Sequence, residues 1–189
     1  MKKKNIVKIA SLLIVFWLIW TDSGICVPAE VEPLTNQYYL PCVMKLIKGA
    51  KTSINAIMYS MVWYDKYPES SSNRLIALLC DAAKRNVNVT VILNKDKKKD
   101  SEAESNKVAA EKLQKAGVKV LYDSTEQITH AKIVIIDSRF VVIGSFNWSY
   151  YSLEKNNETA VVVDSKEIAE YFLKYFDSIA VRGFSIQQP

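Results

Sequence analysis

His130-Ala131-Lys132-Ile133-Val134-Ile135-Ile136-Asp137-Ser138-Arg139-Phe140-Val141-Val142-Ile143-Gly144-Ser145-Phe146-Asn147 is the stretch on which the reading of this chain turns. Two apolar, β-branched runs, 133–136 and 140–143, flank the polar pair Asp137-Ser138. That is the pattern of a β-hairpin with its turn at the polar pair. Alternate residues of a strand share a face, so His130 and Lys132 are expected to point the same way. His130 is the only histidine in the chain. Gly144 ends the second run and is expected to let the backbone approach a ligand closely. Ser145 and Asn147 then add a hydroxyl and a carboxamide. An imidazole serves near neutral pH as nucleophile or proton carrier. Beside a fixed ammonium and neutral donors, it forms a set suited to a phosphodiester.

Taken with its spacing, H-x-K-x4-D-x6-G-S-x-N, the stretch resembles the signature of the phospholipase D superfamily. His130, Lys132, Asp137, Gly144, Ser145 and Asn147 occupy its fixed positions. Glu158, eleven residues beyond Asn147, resembles the downstream acidic position of the short, single-motif members. Those members include the bacterial Nuc-type endonucleases and the mitochondrial cardiolipin hydrolase. The resemblance implies one α/β domain, a mixed β-sheet flanked by helices as an α/β/α sandwich. It implies that His130 attacks phosphorus in one subunit and acts as acid and base in the other. Lys132 and Asn147 would hold the phosphate with Ser145 assisting, and Glu158 would orient the imidazole. Asp137 is counted with the catalytic set as a motif position, its expected part being to order the hairpin. One copy of the motif per chain implies a homodimer sharing one site across its two-fold axis. No cofactor and no metal is implied, because lysines meet the charge. A single histidine and the absence of a C-x-x-C pair also argue against a histidine-rich zinc site.

The function that follows is a metal-independent phosphodiesterase working through a covalent phosphohistidine, expected to be an exported nuclease cleaving DNA or RNA. Because the motif reads only the phosphate, phospholipase D activity on phospholipid head groups stays open. So does a non-catalytic dimer that binds nucleic acid or membrane through the same pocket.

Composition bounds these readings. With 189 residues, 49% hydrophobic and 24% charged, the chain is long enough for one domain with a sizeable core. Its formal net charge is +5, but residues 1–29 hold Lys2, Lys3, Lys4 and Lys8 against Asp22 alone, leaving 21 basic and 19 acidic residues. Global charge therefore gives little support for a nucleic-acid partner. The basic start and the apolar run 9–20 are expected to form a signal peptide, residues 1–29, cleaved after Ala29. The alternative is an N-terminal anchor giving membrane association. Secreted or periplasmic placement follows from the first and a membrane-anchored protein from the second. Residues 30–36 are expected to be a linker and 37–189 the catalytic domain. Of the three cysteines, Cys42 and Cys80 remain after the leader and are expected to be separate buried thiols rather than a pair.

Along the domain, periodicity predicts helices over 37–50, 74–85, 108–116 and 166–179, with strands over 53–61, 87–93, 118–122 and 159–163. Ser70 to Asn73 reads as a helix cap. Val62 to Pro68 is an aromatic loop suited to stacking on bases, to a membrane interface or simply to packing. Lys95, Lys97, Lys98 and Lys99 lie in a charged loop, either solvated or steering phosphate. The last helix is expected to bury Ile168, Tyr171, Phe172 and Tyr175.

Overall fold

The computed structural model describes residues 26–95, 101–124 and 127–185. In order they form β1 (Glu30–Thr35), a 3-10 turn (Asn36–Tyr38), α1 (Tyr39–Gly49), β2 (Ser53–Met58), α2 (Ser71–Lys84), β3 (Asn88–Leu93) and α3 (Ser101–Lys115). Then come β4 (Lys119–Tyr122), β5 (Lys132–Ile136), β6 (Phe140–Gly144), α4 (Tyr150–Glu154), β7 (Thr159–Asp164), α5 (Lys166–Arg182) and β8 (Phe184–Ser185). The strands join in one sheet, β1-β7-β6-β5-β2-β3-β4-β8. β2, β3 and β4 run parallel, and every other pairing is antiparallel. This is the mixed α/β sandwich that the sequence leads one to expect.

The central strands are apolar throughout because both faces are covered. On β5, Val134 and Ile136 join the core beneath α1, α2 and α3, whereas Ile133 and Ile135 pack under α5. Ser70 caps α2 by accepting from the Asn73 amide at 3.3 Å, as its position suggests. Gly117, at φ +86°, ends α3 in the left-handed conformation that glycine adopts at least cost.

Several expectations are corrected. Residues 30–35 are not a linker but an edge strand paired antiparallel with β7, and Leu34 is the residue it buries. The polar composition hid this strand, and Pro33 is tolerated because an edge strand has one side without ladder partners. α3 begins at Ser101, seven residues before the apolar period becomes visible. On α5, Ala169, Phe176 and Ile179 are buried and Ile168 and Phe172 pack against them as expected, but Tyr171 and Tyr175 are exposed. Cys42 and Cys80 are both free and partly buried, and burial pushes each thiol's pKa up. Residues 1–25 and Lys97, Lys98 and Lys99 lie outside the described residues, and no helix among the described residues is long and apolar enough to cross a membrane.

Asp137 marks the turn of the β5–β6 hairpin. Asp137 and Ser138 both take positive φ, 52° and 50°, and the Arg139 amide closes the turn on the Ile136 carbonyl at 3.1 Å. The Asp137 carboxylate accepts from the amides of Lys51, Thr52 and Ser53 at 2.8–3.1 Å and from the Thr52 hydroxyl at 2.9 Å. Asp137 thus ties the hairpin to the loop before β2. It sits at the opposite end of β5 from Lys132, a strand of five residues spanning roughly 17 Å. Its place in the catalytic set is therefore corrected to a purely structural one. Burial raises the Asp137 pKa, but the four donated hydrogen bonds together outweigh it and hold the pKa below the usual carboxylate range. Asp137→Ala should cost on the order of 2 kcal/mol in denaturant unfolding. The difference from the wild type should be full above about pH 4 and shrink as pH falls through the depressed native pKa. A difference independent of pH from 2 to 7 would contradict the clamp.

Candidate active site

The parallel strands β2, β3 and β4 all end at one edge of the sheet, and antiparallel β5 begins there, with Met58 opposite Lys132. Open α/β sheets bind ligands beyond the carboxyl ends of their parallel strands. His130 lies at that edge, and the loop leading to it is pinned. The Thr129 amide donates to Asp123 Oδ2 at 3.0 Å and to Asn94 Oδ1 at 3.2 Å, and the Lys95 amide donates to Asp123 Oδ1 at 2.7 Å. Asp123 and Asn94 are 1% and 2% exposed, so these anchors belong to the interior.

His130 and Lys132 share a face, as expected. Lys132 is buried, and its Nζ donates to the His130 carbonyl at 2.7 Å and lies 3.1 and 3.2 Å from the two ring nitrogens of His130. Tyr59 completes the group: its ring centroid is 4.5 Å from that of His130 and 5.0 Å from the Lys132 ammonium. The sequence reading missed Tyr59, whose only signal is its place one residue past the end of β2. Burial, with the Lys132 charge second, lowers the His130 pKa. Burial also lowers that of Lys132, against the opposing pull of Glu158. The His130 shift favours a neutral imidazole, the form that can act as a nucleophile.

Across the hairpin, Gly144 faces Ala160 of β7. A Cβ there would collide with the Thr159 carbonyl and with Ala160. The glycine is thus required by the neighbouring strand, and it also lines the cavity beside His130. Ser145 Oγ donates to Glu158 and accepts from the Thr159 amide at 3.1 Å. Its hydroxyl therefore holds the acid in place, and Ser145 reaches a substrate only by rotating away. Glu158 also accepts from Ser152 Oγ at 2.8 Å and Asn156 Nδ2 at 3.2 Å. Burial raises its pKa, but these donors and the Lys132 charge outweigh burial and keep the carboxylate ionised. Its partners within the chain are Ser145, Ser152 and Asn156 rather than the imidazole. Asn147 is positioned through its amide, which donates to Ser152 Oγ at 2.9 Å. The Asn147 Oδ1 is buried without a hydrogen-bond partner among the described residues. That carboxamide is uncommitted to the protein's own network, in a place where an unpaired polar atom is costly. Trp148 and Phe146 are core residues: Phe146 stacks on Tyr39, and Trp148 Nε1 donates to the Tyr39 hydroxyl at 3.1 Å.

A cavity of about 320 Å³ opens beside His130, Lys132, Gly144 and Ser145. No group of three or more acidic, histidine or cysteine side chains able to hold a metal occurs among the described residues. Chemically, the cavity offers an imidazole nitrogen and a cation to an anion with a leaving group, while Asn147 is not among its lining residues.

The family profile described as "Cardiolipin synthase, PLD-like domain" matches residues 43–180. The chain belongs to the phospholipase D-like family. Phospholipase D from Rickettsia bellii is 31% identical over 113 residues, covering 60% of this chain and 54% of the relative. Human mitochondrial cardiolipin hydrolase is 33% identical over 67 residues, 35% of this chain and 27% of the relative. The chain thus spans about half the length, or less, of these relatives. Among solved structures, Nuc, a phospholipase D family member from Salmonella typhimurium, superimposes with a TM-score of 0.70 at 25% identity. That match covers 84% of this chain and 100% of Nuc. NucT from Helicobacter pylori shares the fold, with a TM-score of 0.66 at 19% identity over 84% of this chain and all of NucT.

The single histidine of this phospholipase D-like chain allows a direct measurement. Its NMR titration should give a pKa below the ordinary value of 6.5. Lys132→Met should raise that pKa part of the way back, since burial remains. An unchanged or lower pKa in the variant would show that the ammonium does not bias the imidazole.

Proposed function

We propose that this chain is a metal-independent phosphodiesterase that forms a covalent phosphohistidine, and that it acts as an exported nuclease. The observation that carries the chemistry is the imidazole of His130, biased to its neutral form against a buried ammonium at the mouth of a cavity. In the first step, His130 nitrogen attacks phosphorus: a P–N bond forms, the P–O bond to the leaving group breaks, and the departing oxygen takes a proton. In the second, water adds to phosphorus, the P–N bond breaks, and the proton acceptor is the group that served as acid before. Lys132 faces the non-bridging oxygens, where negative charge builds up, and the Asn147 carboxamide offers a neutral partner.

The second acid–base group must be another imidazole in the family's scheme, and each chain has only His130. The reading is therefore a homodimer whose two-fold axis passes through one shared site. His130, Asn147 and Glu158 would then lie beside the interface. The likeness to Nuc over its full length supports the nuclease reading. The basic, apolar leader at 1–29 supports export. A second reading, phospholipase D, is favoured by the Rickettsia relatives named for that activity.

His130→Asn should lower turnover by about 10²–10⁴-fold or more without loss of fold, because no other histidine replaces the nucleophile. Equal mixing of wild-type and His130→Asn subunits, after subunit exchange, should leave about a quarter of the dimers with two intact imidazoles. Activity should then fall with the square of the wild-type fraction. A linear fall, or full activity in a demonstrated monomer, would refute the shared site. Activity should also persist in excess EDTA, since the cation is a lysine. Loss restored by Mg²⁺ or Zn²⁺ would replace the proposed chemistry with a metal-assisted one.

A further inference from the structure

A recess of about 740 Å³ lies apart from the cavity beside His130. It is lined by Tyr64, Tyr67, Tyr150 and Tyr151, with Lys66, Glu69 and Glu154 among them. No motif residue lines it. Its volume falls within the range of small-molecule sites, roughly 300–1,000 Å³.

The recess is built rather than incidental. Asn73, 1% exposed, fixes the 62–70 loop from beneath. Its Oδ1 accepts from the Tyr64 amide at 2.9 Å, and its Nδ2 donates to the Tyr64 and Tyr67 carbonyls at 2.9 and 3.0 Å. The Tyr64 hydroxyl accepts from the Tyr150 amide at 2.9 Å, joining the two walls. Glu154 is held by the Ser71 hydroxyl. Against this frame, Tyr67 and Tyr151 are 67% and 69% exposed. Large rings left open on a braced loop are surfaces for another ring.

The two walls of the recess belong to elements that also hold residues of the active site. The 62–70 loop leaves the sheet after β2, where Tyr59 touches His130. The other wall is α4, whose Ser152 binds the Asn147 amide and Glu158. The Val62 amide donates to the Trp148 carbonyl at 2.8 Å, so the two walls meet one residue beyond Asn147.

We infer that the Tyr64–Tyr67–Tyr150–Tyr151 recess binds a nucleobase of single-stranded nucleic acid flanking the phosphate held at His130. This deepens the nuclease reading proposed above and rests on it. The charge pattern selects the ring part of a nucleotide. Lys66 is set against Glu69 and Glu154, so the lining repels a buried phosphate. Its carboxylates, however, accept from the amino and ring N–H groups of bases. The exposed Lys66 serves the adjoining phosphate. The exposed charged groups offer an acyl chain no favourable partner, whereas tyrosine faces stack on any base.

The test separates binding from cleavage. In the full chain carrying His130→Asn, binding of a fluorescein-labelled single-stranded hexamer is followed by anisotropy. The same measurement is made with a hexamer carrying abasic residues, and with phosphatidylcholine and cardiolipin vesicles in separate arms. Tyr67→Ala/Tyr151→Ala should weaken hexamer binding about 5- to 100-fold, and Tyr67→Phe/Tyr151→Phe should restore it. The abasic hexamer should bind weakly and be indifferent to the alanine pair. Both side chains are exposed, so their truncation leaves the core intact. Unchanged hexamer affinity in the alanine variant overturns the base site. Loss of vesicle binding with hexamer binding unchanged overturns it in favour of lipid. Tyrosine-dependent hexamer binding by His130→Asn, with no hexamer cleavage by the wild type, upholds the base site while refuting the nuclease reading.

Discussion

A buried ammonium sets the terms for this molecule. Lys132 starts a central strand and is only 8% exposed. A cation taken from water is tolerated only if the fold returns partners to it. The partners here are the His130 carbonyl, the Tyr59 ring face and, through space, the charge of Glu158. Each demands something of the backbone. The chain must turn back at His130 so that its own carbonyl reaches the Nζ two residues on. β2 must end so that Tyr59 lies beside both. β7 must begin so that Glu158 is within electrostatic reach. The partners that satisfy the lysine and the pinned loop before Thr129 together place the imidazole.

Glu158 extends the same logic. A carboxylate near a cation and three donors stays ionised despite partial burial, and its oxygens are held by Ser145, Ser152 and Asn156. Ser152 is the junction, because the hydroxyl that donates to Glu158 also accepts from the Asn147 amide. The position of the Asn147 carboxamide and the charge felt by Lys132 therefore depend on one serine of a five-residue helix. Displacing α4 would disturb both at once.

The hairpin, the shared face of His130 and Lys132 and the sandwich were legible because they follow from local period and spacing. What was hidden depends on contacts between distant parts of the chain. Asp137 has the same spacing whether it is catalytic or structural, and only the pairing of its turn with residues 51–53 decides. Gly144 has a second reason to be glycine, which appears only when β7 lies against it. β1 is polar and contains Pro33, so nothing in its own sequence distinguishes an edge strand from a linker. Tyr171 and Tyr175 fit an amphipathic stripe as well as Ala169 and Phe176 do. The sheet surface beneath α5, which the period alone does not describe, chooses between them.

The lowered pKa values of His130 and Lys132 bear on how a symmetric pair of chains would divide its labour. In the proposed dimer both imidazoles are biased toward neutrality by burial and, second, by their own lysines, so neither is marked in advance as the acid. An anionic phosphodiester placed among these groups opposes that bias. By linkage, a ligand that binds more tightly to the protonated site raises the site's affinity for protons by the same factor. Proton uptake on binding would charge one imidazole. The like charges of the two lysines and of the first imidazolium would oppose a second uptake. One histidine would then remain the nucleophile and the other become the acid. In that scheme the asymmetry that the chemistry requires would arise from the substrate's charge, with no structural difference between the chains.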